Sequence, residues 1–185
     1  MTEPLTDRPV PTEDERLLEE SRQATERLVA DFQRELPPAF RMAASELEYE
    51  KIFLAHCRYC QTTLGKQKLV RELCPKMDPL AIDRSLDEVR ELRLYVASGE
   101  GPSFGGLSDL GATLRKLEIA GSTMYPEEGA RVLQTLKATR ALREYFARRT
   151  KDASLLWKTA VQLYDDRMLE MHFEHVFDEA GTVKD

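Results

Sequence analysis

Seven cations crowd one stretch of the second half of the chain: Arg131, Lys137, Arg140, Arg143, Arg148, Arg149 and Lys151, with Arg115-Lys116 ahead of them. Such side chains on one helix make a positive face that can contact phosphate oxygens, with an affinity that falls as salt rises. They are the best binding candidates in the sequence. The competing reading is a solvated helix face balanced by acidic neighbours, and a net charge of −6 favours it.

His56-Cys57-Arg58-Tyr59-Cys60 with Cys74 invites a zinc reading, because two thiolates at this spacing plus a further Cys and a His total four ligands. The stretch reads as helix, however, and His56 and Cys57 diverge from Cys60 around it. Cysteines packed as small hydrophobes are the expectation. His172 and His175 share a helix face at i, i+3 with Glu174 and Asp178 nearby. Met168, Met171 and Phe173 surround them and no third ligand is specified, so ordinary surface or interface histidines are expected. Gly65-Lys66 is followed by Gln67 and preceded five residues earlier by Cys60, so it fails the phosphate-loop pattern on both counts. Glu13-Asp14-Glu15, Glu19-Glu20 and Asp165-Asp166 read as solvated runs on helices. No nucleophile elbow gathers Ser, His and Asp. No catalytic residue, cofactor site or metal site is assigned.

The elements that position these residues are helical. Residues 1–12 carry Pro4, Pro9 and Pro11 among polar residues and read as a disordered lead-in. Glu13 to Leu36 reads as a helix with a narrow stripe of Leu17, Ala24, Leu28, Phe32 and Leu36, ended by Pro37-Pro38. A second helix spans about Ala43 to Leu73 with a break near Thr62-Thr63, burying Leu47, Ile52, Phe53, Ala55, Leu64, Leu69 and Leu73. Asp78-Pro79 is a sharper start signal: Asp caps free amides, and Pro at the first helical position loses no hydrogen bond. The helix that follows is expected to bury Ile82, Leu86, Val89, Leu92 and Val96 and to stop at Gly99. The loop Pro102 to Asp109 reads as a contact loop or as a tight link with Phe104 and Leu107 plugging the core, and the second is expected. Helices from Ser108 or Asp109 to Ile119, Pro126 to Thr150 and Ala153 to Phe177 complete an all-α chain, with one short extended piece at Thr182-Val183.

At 185 residues, 42% hydrophobic and 32% charged, the chain is long enough for one domain with a core. The net charge leaves any nucleic-acid contact to a local patch. No apolar run approaches the ~20 residues that span a bilayer, and Met1 to Asp7 is polar, unlike a signal peptide. A cytoplasmic protein with three reduced cysteines is expected.

In chain order come Leu47-Glu48-Tyr49 with Lys51-Ile52, then Leu64-Gly65-Lys66, the Pro75 to Pro79 break, Gly106-Leu107-Ser108-Asp109, Leu114-Arg115-Lys116-Leu117 and the closing Asp178 to Asp185. Over about residues 44–185 this series resembles the amino-terminal region of the second bacterial MutS group, MutS-like proteins without mismatch-recognition domains. The resemblance implies a helical core (lever) domain, 44–185, ending just before a lever helix and clamp, with 13–43 as an amphipathic extension ahead of it. It implies a parent with a clamp, a MutS-type ATPase using ATP and magnesium, and often a nuclease domain. That parent would dimerise through its ATPase, bind branched DNA and limit recombination, or split collided ribosomes by contacting them. This chain would be its non-catalytic connector. Leu47, Ile52, Leu64, Leu86, Val89, Leu107, Leu114, Leu117, Leu133 and Leu136 are then the expected packing residues. Gly129 stands where the family favours a large apolar residue, and Tyr125 stands where Ser or Thr would cap, so either the helix starts differently here or Thr123 does the capping. A reading from another class is a stand-alone helical protein-interaction module; an apolar patch exposed near Met168 to Val183 would instead favour a domain cut from a parent.

Overall fold

A computed structural model describes residues 12–151, 153–177 and 183–184. The lead-in up to residue 11, and Asp178 to Thr182 with Asp185 from the closing segment, lie outside the described residues. The described chain is all-α. It forms two compact units, one holding Met1–Arg58 and Lys66–Pro75, the other Tyr59–Gly65 and Lys76–Asp185.

The first unit contains α1 (Glu13–Glu35), α2 (Pro38–Glu46), α3 (Tyr49–Cys57) and most of α4 (Thr63–Glu72). A capping box starts α1: the Thr12 hydroxyl accepts from the Glu15 amide at 3.3 Å, and the Glu15 carboxylate accepts from the Thr12 amide at 2.8 Å. The helix expected from 43 to 73 is three helices. Glu48, at φ 52, turns the chain between α2 and α3, and the break at Thr62-Thr63 begins α4, where the Thr62 hydroxyl accepts from Gly65 N at 2.9 Å. The core is aromatic: Phe32 and Phe53 stack at 4.4 Å between ring centroids, with Leu36, Cys57 and Val70 buried around them.

The second unit contains α5 (Pro79–Ala97), α6 (Gly111–Leu117), α7 (Pro126–Ala147), α8 (Ser154–Ala160) and α9 (Arg167–Val176). Asp78 caps α5 through Leu80 N at 3.1 Å with Pro79 in the first turn, as the sequence predicts. The single helix expected from 153 to 177 is two, because Asp166 starts α9 by accepting from Leu169 N at 2.9 Å. Leu142, Phe146, Ala153 and Ala160 form the core, with Phe104 and Leu107 of the loop packed on it. The loop approaches α7 closely at Gly106, which has φ +85 and would place a Cβ 3.3 Å from the Gln134 carbonyl oxygen. Phe177 and Val183 pair as one antiparallel bridge, where a short extended piece is expected.

The expected packing residues need correction. Leu133 and Leu136 are buried and Leu107 is half-buried, but Leu47, Ile52, Leu64, Leu86, Val89, Leu114 and Leu117 are exposed. On α3 the aromatic Phe53 and Cys57 take the inner face, which turns Ile52 outward. On α5 the inner side is that of Glu91, Leu92 and Tyr95, so Ile82, Val89 and Val96 point to solvent. Ala55 is exposed for the same reason as Ile52.

Candidate nucleic-acid interface

Helix α7 carries the basic cluster, and its Pro126 supplies the fixed φ that suits a first turn. Its amino terminus is not capped by Thr123. The Glu128 carboxylate reaches back to the Tyr125 amide at 2.8 Å, and Lys116 binds the same carboxylate at 2.7 Å while lying 3.7 Å over the Tyr125 ring. The Lys116 hydrogen bond, then the Tyr125 amide, holds the Glu128 carboxyl below its ordinary value.

From there the cations turn to carboxylates of the same unit. Arg140 grips Glu170 of α9 with two bonds, Nε at 2.8 Å and Nη2 at 3.0 Å, and reaches Glu144 at 3.1 Å. Glu170 is only 1% exposed, and Arg167 of its own helix also donates to its Oε1 at 2.5 Å. The Arg140 hydrogen bonds outweigh burial and hold the Glu170 carboxyl below its ordinary value, while the same bonds raise Arg140. Lys137 pairs with Glu174 at 3.1 Å, so a second cation ties α7 to α9. Arg143 donates to the Leu163 carbonyl at 3.2 Å and lies 3.7 Å from Asp165. Arg149 sits 3.9 Å over the Tyr145 ring and 3.6 Å from Glu100.

Three cations are left in a different situation. Arg131 donates to the Glu127 carbonyl of its own helix at 3.3 Å. Arg148, at the carboxy-terminal cap of α7, is 77% exposed and reaches Glu144 at 3.6 Å. Lys151, just beyond, is exposed. Arg148 and Lys151 stand at the negative end of the helix dipole, which stabilises cations there. The cluster read as one positive face is thus divided: an inner group bolts α7 to its neighbours, and an outer group reaches water.

The other candidate residues serve locally. Cys57 is buried in the first core, and burial, with Glu35 beside it, raises the Cys74 thiol, which donates to the Val70 carbonyl at 3.3 Å. His172 Nδ1 lies 2.7 Å from the Met168 carbonyl oxygen. Among the described residues no group of three or more His, Cys, Asp or Glu is placed to hold a metal ion. Asp165 and Asp166, read as a solvated run, are an ion-pair partner and a helix cap; the Leu169 and Tyr164 bonds keep the Asp166 carboxyl low. Tyr164-Asp165-Asp166 before a helical run carried that cap signal. Glu91 was missed as well: its carboxylate accepts from the Leu155 and Leu156 amides at 3.0–3.1 Å and so caps α8 from α5. Nothing local announces that role, nor the role of Glu170, since both partners are distant in sequence.

No helix among the described residues is long and apolar enough to cross a membrane. No family model and no solved structure matches the chain. Curated relatives do. Endonuclease MutS2 of Bacillus velezensis is 30% identical over 144 residues, 76% of this chain and 18% of the relative. Putative endonuclease MutS2 of Bacillus subtilis is 31% identical over 145 residues, with the same shares of 76% and 18%. Endonuclease MutS2 of Clostridium botulinum is 33% identical over 108 residues, 58% of this chain and 14% of the relative. The chain thus spans less than a fifth of the length of these relatives. With that relatedness running over three quarters of an all-helical chain, it is MutS2-like.

Proposed function

We propose that this chain acts as a non-catalytic helical core of a MutS-like ATPase, a connector that transmits nucleotide state to the part that holds nucleic acid. The observation that carries the reading is the lock of Arg140 and Arg167 on buried Glu170, which joins α7 to α9 through charge-assisted bonds. A connector must be stiff to pass a displacement between separate sites, and such a lock makes it so. ATP and magnesium would be bound, and DNA cut, by other parts of the parent. DNA or the ribosome would be its partners, and the parent would be a homodimer. The relatives' printed names support the DNA side of this reading, and their length leaves room for the catalytic parts.

Two measurements test it. The chain by itself is expected neither to hydrolyse ATP nor to cleave branched DNA, and either activity in purified protein overturns the reading. In a MutS2-like ATPase that contains this region, Arg140→Ala with Arg167→Ala should leave ATP affinity intact. It should shrink the nucleotide-dependent change in DNA or ribosome affinity by about 5-fold or more. An unchanged response would sink the connector role. The exposed Met168, Met171, Val176 and Val183 also suit a region that packs on further protein.

A further inference from the structure

The first unit holds an open cleft of about 470 Å3 between α1, α2 and the start of α3, within the size range of small-ligand pockets. Its sides differ in chemistry. Phe32 and Leu36, one turn apart on α1, form an apolar floor with Ala44. On the α3 side the polar groups are already matched: Lys51 holds Glu48 at 2.5 Å, and the Gln33 amide donates to Glu50 at 2.9 Å. On the α2 side they are not. Arg41 and Ser45 lie four residues apart and share one face of that helix. Arg41 Nε donates to the Leu36 carbonyl at 3.2 Å, which holds the guanidinium at the turn between α1 and α2. Arg41 makes no ion pair among the described residues, and the Ser45 hydroxyl makes no hydrogen bond among them.

We propose that this cleft binds a monocarboxylate with a short apolar body, the carboxylate on Arg41 and Ser45 and the body over Ala44 and the floor. The two terminal nitrogens of a guanidinium match the two oxygens of a carboxylate. The charges around the cleft, Arg41 and Lys51 against Glu48 and Glu50, balance. A phosphate dianion would meet two carboxylates there, so a single negative charge is the better match. Phe32 and Leu36 are already 1% and 6% exposed, so little apolar area remains to cover, and a weak Kd of about 1 mM is expected. A free branched-chain acid and the carboxylate end of a peptide share this chemistry.

Amide shifts of the nitrogen-15-labelled 185-residue chain, titrated with N-acetyl-leucine and with 4-methylpentanoate, test the proposal. Saturable shifts centred on α1 to α3 are expected. N-acetyl-leucinamide, which has the same shape without the charge, should bind at least ~10-fold more weakly. Arg41→Gln should weaken the acids at least ~10-fold and Ser45→Ala about 3-fold. Ser45→Ala leaves the bond to the Leu36 carbonyl in place, so it reads the site even where Arg41→Gln loosens the turn. Tighter binding of N-acetyl-leucine assigns the cleft to a peptide end, and tighter binding of 4-methylpentanoate assigns it to a free acid. No saturation up to ~20 mM, well above the expected Kd, overturns the proposal. Equal binding of the amide overturns it too, as does unchanged affinity in both variants.

Discussion

Glu170 is the most deeply buried charged residue among those described. A carboxylate this buried costs several kcal/mol to desolvate, and removing its partner leaves that cost uncompensated. Arg140→Ala should destabilise the chain by about 2–3 kcal/mol, below the figure for a fully enclosed pair, because the Arg140 side chain keeps 31% of its exposure. Denaturant unfolding reads this directly. The sign of the pH effect follows from the lowered Glu170 carboxyl. Its contribution is fully present above the ordinary value of 4.5 and is lost as pH falls through the lower folded value. Glu170→Gln should therefore flatten the acid limb of a melting-temperature profile; an unchanged acid limb would show that other carboxylates set it. Gly129 is the second decisive residue. A Cβ there would sit 2.2 Å from the Phe177 ring, so the glycine is the seat of that ring on α7. Gly129→Ala gains about 1 kcal/mol of helix propensity but should displace Phe177. Faster amide hydrogen exchange at Lys184, whose N–H bonds the Val176 carbonyl, would report the displacement.

Among the elements, α8, as short as α6, cannot stand alone. It has seven residues, and Ala153 before it has no side chain able to cap. Helices this short are marginal without tertiary support. Glu91 supplies that support from α5. Glu91→Ala should cost about 1–2 kcal/mol, a capping loss, and loosen α8 ahead of the rest. Trp157 lies in α8 and is the single tryptophan, so its fluorescence should change before the helical signal does. Coincident transitions would argue that Leu92 and Phe104 hold α8 without the cap. Legibility in the sequence varied in the same way. Asp78-Pro79 and Pro126 announced their helix starts because capping acts over three residues. The split of 43–73 at Glu48 had no such signal, since neither glycine nor proline marks a left-handed residue there.

For the whole molecule, the division of the cations sets the expected behaviour with nucleic acid. Lys137, Arg140, Arg143 and Arg149 are engaged with carboxylates of their own unit, leaving Arg131 near the amino-terminal end of α7 and Arg148 and Lys151 as the outward pair at its carboxy-terminal end. If the chain binds DNA by these two, the slope of log K against log salt should be about −1 to −2, and Arg148→Glu with Lys151→Glu should abolish binding. A slope of about −5 or steeper would mean that the inner cations take part and the ion pairs open.

The sequence by itself determined the all-helical class, most helix starts and the MutS-like kinship, because caps, prolines and short motifs act locally. It singled out the cations but left two faces open, a gripping surface or a set of internal ties. Only the tertiary structure decided which cations meet Glu170, Glu174, Asp165 and Glu100, and which face of α5 turns outward. Periodicity names an apolar stripe, but burial is settled by what lies opposite, and here aromatic rings and the amides of α8 won those places.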